Sequence, residues 1–158
     1  MTAPKIISGG QTGADRAALD WALANDLPCG GWCPRGRLAE DGVIPARYPL
    51  AETSSAHYLE RTEWNVRDSD ATVILTLAPE LSHGSLATVV KAAKYHKPTL
   101  HLPRELLDGD ALRAGRFLRE FAARHGVQTL NVAGTRASKE PEVGVWVIVV
   151  LSVAFGGR

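Results

Sequence analysis

The sequence predicts an α/β protein whose parallel sheet is covered by helices on both faces. Three observations carry this. Short β-branched or apolar segments alternate with helical segments along the chain, the pattern of a parallel sheet. Ala71-Thr72-Val73-Ile74-Leu75-Thr76 has no polar alternation, the mark of a strand buried on both sides. Glycine-containing turns stand where strands give way to helices, at Gly9–Gly13 and at His83–Ser85.

In chain order, Lys5-Ile6-Ile7-Ser8 is a short strand that runs into the first glycines. Ala14 to Asn25 follows as a helix, with Ala18, Leu19, Ala22 and Leu23 at helical spacing. Leu27 to Val43 is rich in turn residues and reads as structured loop around a short extended piece. Ser54 and Ser55 suit the N-cap of a helix from about Ala56 to Arg67. After the buried strand, Leu86 to Tyr95 reads as a helix and Pro98 to Leu102 as a strand. Asp108 or Asp110 caps a helix that reaches His125, where Gly126 terminates it. Gln128 to Val132 is the last strand, and Ser138 and Pro141 open a final helix.

The 158 residues are enough for one well-buried core, and residues 1–158 read as a single ligand-binding domain. The formal charge is +1, from 18 basic and 17 acidic side chains. A protein that grips nucleic acid through its phosphates usually carries a strong basic excess, so nucleic acid is not expected as a partner. Two cysteines, Cys29 and Cys33, are too few for a disulfide-stapled scaffold. The start of the chain has no long apolar run of a signal peptide, which points to the cytoplasm. Val143 to Phe155 is apolar but shorter than the roughly 20 residues a membrane span needs. It reads as a buried or interface helix, with no membrane partner.

The first turn carries the clearest chemistry. Gly9, Gly10 and Gly13 let backbone approach a ligand closely, and the free N–H groups of a helix start favour an anion. Gln11 and Thr12 add polar side chains, and Asp15 falls in the first helical turn. Asp15 could bind a sugar hydroxyl or a metal, or simply complement the helix N-terminus. The pattern is neither a P-loop nor the Rossmann G-x-G-x-x-G. The second turn offers Gly84, Ser85 and Thr88 at another helix start. Two such turns on one crevice would hold a diphosphate or larger polyanion. Arg35 and Arg37 lie in a glycine-rich loop with Glu40 and Asp41, where guanidinium groups suit phosphate or a local ion pair. Trp64 suits core packing better than base stacking. No spacing of cysteines or histidines suggests a metal site, and no catalytic residue can be assigned.

With these segments assembled, the sequence resembles the putative molybdenum carrier family, circularly permuted relatives of YpsA. The resemblance rests on Gly9 to Asp20, Gly30 to Arg37, Glu40-Asp41-Gly42, Ile44 to Leu50, Arg61 to Asp70 and Leu130 to Ser138. It implies a three-layer Rossmann-like fold with a mainly parallel central sheet, related to the lysine-decarboxylase-like, Lonely Guy proteins. It also implies a phosphorylated or oxyanionic ligand, such as molybdopterin, molybdate or a nucleotide, and assembly as a homodimer or higher homo-oligomer. Two departures stand out. Where the family usually has Gly-Gly-Thr, this chain has His83-Gly84-Ser85. Where the Lonely Guy hydrolases carry a glutamate three residues later, it has Thr88, which cannot do carboxylate chemistry at neutral pH. The expected function is therefore binding. The alternative is a hydrolase of nucleotides or their derivatives, suggested by Asp15, Glu40, Asp41 and Glu63 in the motif segments, with Glu40, Asp41 or Glu63 in the missing role.

Overall fold

The computed structural model describes residues 2–157. The chain runs β1 (Lys5–Ile7), α1 (Ala14–Ala24), β2 (Cys29–Gly30), β3 (Trp32–Cys33), β4 (Leu38–Ala39), β5 (Gly42–Val43) and β6 (Ala51–Glu52). It continues with α2 (Tyr58–Arg67), β7 (Ala71–Thr76), α3 (His83–Lys94), β8 (Thr99–Pro103), α4 (Ala111–Arg124), β9 (Thr129–Gly134) and α5 (Val143–Phe155). The apolar β7 is buried along its whole length, as its lack of alternation requires. Val73, Ile74 and Leu75 are fully buried, and each contributes roughly 1.5–3 kcal/mol by leaving water.

Five strands form one parallel sheet in the order β2-β1-β9-β7-β8. The last strand of the chain is thus the middle one. Counted from β9, the order becomes 3-2-1-4-5, that of a doubly wound Rossmann sheet. The arrangement is Rossmann-like with its chain start moved by one strand. Helices α1 and α4 pack on α5 to cover one face, while α2 packs on α3 to cover the other. Ser152 is the one polar side chain of α5, and it accepts a hydrogen bond from Trp21 Nε1 at 3.0 Å.

Local capping moves several boundaries from where periodicity puts them. Helix α2 starts at Tyr58, with His57 as its cap: Nδ1 accepts the Leu59 N–H at 3.2 Å. Ser54 and Ser55 lie upstream and both donate to Glu60 instead. Helix α3 starts at His83 rather than Leu86, because Ser82 Oγ accepts the Ser85 N–H. Asp110, not Asp108, caps α4. Helix α5 opens at Val143, beyond Ser138 and Pro141. The stretch read as loop contains more pairing than expected. Cys29–Gly30 is the edge strand of the main sheet, Trp32–Cys33 pairs with β6, and β4 with β5 forms a small hairpin. Two-residue strands carry no periodicity to read.

Candidate ligand-binding site

A crevice of about 140 Å³ lies at the carboxyl ends of the central strands. Neighbouring connections leave to opposite faces there, β9 toward α5 and β7 toward α3, which opens the sheet for a ligand. Its walls come from the first loop (Gly9, Gln11, Asp15), α2 (Arg61, Asn65), the start of α3 (Ser82–Gly84), the end of β9 and the following turn (Arg136, Lys139).

Arg61 forms the buried end of this site. Its Nη1 donates to the Gly9 carbonyl at 3.1 Å and stands 3.8 Å from Asp15 Oδ2. A Cβ at position 9 would fall 2.5 Å from Arg61 Cδ, so glycine there makes room for the arginine stem. Nε and Nη2 make no hydrogen bond among the described residues, yet neither is sealed from solvent. Those donors are left for whatever enters the crevice. Asp15 is largely covered beside it, with 13% of its side chain exposed, and accepts the Gln11 N–H at 3.2 Å. Burial pushes its carboxyl above the ordinary range, against the pull of Arg61. Lys139 forms no ion pair among the described residues, and Arg136 only a loose one, 3.8 Å from Glu40. Three cations therefore face one carboxylate whose charge is disfavoured. The first N–H groups of α3 add a further positive end. Chemically, the site suits an anion.

Of the residues singled out from the sequence, Gly9, Gln11, Asp15 and Gly84 line the crevice. The others stand elsewhere. Gly10 lies under Ile44 and Leu50, and Gly13 sits against the backbone of Thr135–Ala137. The Thr12 N–H is taken by Gln11 Oε1, and its hydroxyl donates to Glu40. Ser85 and Thr88 are buried, and the Thr88 hydroxyl donates to the Gly84 carbonyl at 3.1 Å. Arg37 donates to the carbonyls of Ile44, Pro45, Tyr48 and Leu50, which fixes the loop it belongs to. Arg35 is exposed, and its N–H holds Ser55 O. Trp64 packs edge-on against Trp32, with ring centroids 4.8 Å apart.

Glu63 faces α3. Its carboxylate meets Lys91 Nζ at 2.7 Å, Lys94 Nζ at 3.3 Å and the Tyr95 hydroxyl at 3.0 Å. Lys91 above all lowers its pKa to about 2. The stabilisation from these bonds is complete above the ordinary carboxylate value of 4.5 and fades as pH falls toward about 2. Glu63→Gln should flatten the loss of stability between pH 4.5 and 2.5. Denaturant midpoints across that range test this, and a variant as acid-sensitive as the parent would refute it.

Sequence reasoning missed Arg61, Arg136 and Lys139. The first two lie in segments that carry the family resemblance, but nothing in their periodicity shows that they converge.

The hairpin β4–β5 crosses the start of α1. Its Glu40 accepts from the Thr12 hydroxyl, from the Ser138 N–H at 3.1 Å and from the Ser138 hydroxyl at 2.7 Å. Its Asp41 pairs with Arg16 through both oxygens, at 2.6 and 3.1 Å. The Glu40 N–H donates to Gln11 Oε1 at 2.9 Å.

A model of the circularly permutated YpsA SLOG family matches residues 6–155. The chain belongs to this family. The permuted sheet order agrees, since the moved chain start is what puts β9 in the centre. This member of the permutated YpsA family also superposes on a crystal structure described as "Putative molybdenum carrier protein" from Syntrophus aciditrophicus SB, at 1.45 Å resolution. The two share 44% identity with a TM-score of 0.93, over 97% of this chain and 95% of that one. No curated protein matches the chain. Among the described residues of this family member, no helix is long and apolar enough to cross a membrane.

Proposed function

We propose that the chain is a carrier-like binding protein for a small phosphorylated or oxyanionic ligand, held in the crevice by Arg61, Arg136 and Lys139. The observation that carries this is the buried Arg61 guanidinium, which keeps donors toward the crevice with no protein partner. Molybdate, molybdopterin phosphate and nucleotide phosphates all ask for such donors. The relative described as a molybdenum carrier favours molybdate or its pterin. Two free thiols, Cys29 and Cys33, fit a reducing, cytoplasmic setting. Residues 1–158 act in this reading as one ligand-binding domain.

The test is thermal unfolding with sodium molybdate, inorganic phosphate and AMP. A ligand at ~100-fold over its Kd adds about 2.7 kcal/mol, or roughly 5–11 °C for a chain of this size. Arg136→Glu with Lys139→Glu should remove the shift while the unliganded Tm stays within roughly 2 °C, as for surface changes. No shift with any of the three anions would sink the proposal.

Asp15 supports a second reading, a hydrolase of nucleotide derivatives. Its buried carboxyl lines the crevice and holds its proton to higher pH than usual, as a general acid must. Product release from a nucleotide panel that Asp15→Asn abolishes would favour it. An inactive parent protein would remove it.

The outer face of α5 supports self-association. Val145, Ile148 and Val149 are exposed on a helix that is apolar all round, an arrangement normally buried. Val145→Lys with Ile148→Lys should convert an oligomer to monomer in sedimentation velocity. A parent protein that sediments as a monomer at micromolar concentration would refute the assignment.

A further inference from the structure

The Glu40 carboxylate sits in a nest built wholly of donors. The Thr12 hydroxyl, the Ser138 N–H and the Ser138 hydroxyl all donate to it, and the Arg136 guanidinium stands 3.8 Å away. Beside it, the Arg16 guanidinium is neutralised by Asp41 of the same hairpin. The nest is continuous with the crevice, because Gln11 and Arg136 touch both. A carboxylate, a phosphate and a molybdate present the same kind of oxygens to such donors.

Resting on the crevice reading, we infer that Glu40 is a built-in stand-in for a second anionic group, and that its hairpin swings aside for ligands carrying two. The hairpin is made for such a movement. Its tip, residues 38–43, is mostly exposed and pairs through two two-residue strands. Its root is fixed, since Arg37 is locked to four carbonyls of the following loop. Gly42, at positive φ with open space around it, lies within the tip. Release of Glu40 frees the Thr12 and Ser138 hydroxyls, and release of Asp41 frees Arg16. A second phosphate entering there regains the bonds that the carboxylates give up. A ligand with one anionic group has no second group to take the place of Glu40, and so leaves the hairpin closed. The device would select diphosphates and other doubly anionic esters over single phosphates.

The test uses the intact chain, with inorganic phosphate and inorganic pyrophosphate as probes. Calorimetry on the parent protein, Glu40→Gln and Glu40→Ala reads affinity, and circular dichroism checks that each variant is folded. Both Glu40 variants should bind pyrophosphate roughly tenfold more tightly than the parent, the size of one charge-assisted hydrogen bond. Adding Ser138→Ala should remove most of that gain. Hydrogen exchange should show residues 38–43 of the parent opening with pyrophosphate but not with phosphate. Folded Glu40 variants that bind pyrophosphate no more tightly, or a hairpin whose exchange pyrophosphate leaves unchanged, would overturn the stand-in role. Phosphate bound by the parent would then leave the crevice reading standing. If neither probe binds any of the proteins, the stand-in role falls, and the molybdate and AMP arms of the thermal test decide the crevice reading.

Discussion

Arg61→Met should cost about 3 kcal/mol of stability at neutral pH, the lower end for removing one partner of a buried ion pair, and abolish anion binding. Methionine keeps much of the stem that packs over Gly9, so the loss isolates the guanidinium. Its removal leaves the Gly9 carbonyl without the Nη1 donor and Asp15 buried without its cation. The pH dependence separates these two effects. Burial already raises the Asp15 pKa, so its ionisation opposes folding, and the opposition grows as pH rises through its folded value. Without Arg61 the folded value climbs further. The deficit of Arg61→Met should therefore be larger at neutral pH and shrink as pH falls toward 3.8, the ordinary value of this carboxyl. Adding Asp15→Asn should recover part of it at neutral pH. Denaturant unfolding of the four proteins at pH 7 and pH 4 reads the cycle. An equal deficit at both pH values would mean that the bond to Gly9 and packing, not the charge beside Asp15, are what Arg61 contributes.

Gly13→Ala should be as damaging, through backbone geometry rather than charge. Gly13 stands at φ 79° and ψ −125°, where a side chain is strained. A Cβ there would lie 2.4 Å from the Thr135 carbonyl and 2.7 Å from the Ala137 nitrogen. Both are backbone atoms, so no side-chain rotation relieves the contact. The loop after β1 and the turn after β9 would be forced apart. Ala14 N donates to Thr135 O at 3.1 Å and Ala137 N donates to Thr12 Oγ1 at 3.2 Å, and both bonds would go with them. A loss of about 3 kcal/mol or more is expected from strain and clash together, a fall in Tm of roughly 6–12 °C. Gly42→Ala is the control. That glycine also has positive φ but open space around it, so only strain, about 1 kcal/mol, should appear. Equal losses at the two positions would mean that the close approach of the two loops adds nothing.

These expectations bear on what glycine signified in the sequence. The first turn reads as a cradle for a ligand's oxygens, and it does border the crevice. Each of its glycines nevertheless has a partner within the protein: Arg61 for Gly9, Ile44 and Leu50 for Gly10, Thr135–Ala137 for Gly13. Thr12 and Gln11 hold the hairpin, and the carboxylate that takes the Thr12 hydroxyl is Glu40. Glycine in a sequence announces a close approach but not what approaches. Ser85 and Thr88 show the same limit. Their hydroxyls sit near a helix start, but the turn of α3 buries them away from the crevice.

The sequence by itself determined the α/β class, the fully buried β7, the strand-to-helix turns that border the crevice, and the family. These are local properties. Periodicity says which side of an element is covered, and a motif is read along the chain. Only the tertiary structure decided the strand order, with β9 in the middle, and hence which turns become neighbours. Strand pairing joins Lys5–Ile7 to Thr129–Asn131, more than a hundred residues away, through backbone bonds that leave no mark on either segment. That pairing brings Arg61, Arg136 and Lys139 to one crevice and sets Glu40 over the start of α1. Charge on a side chain is visible in a sequence, but which charges meet is fixed by contacts between distant segments.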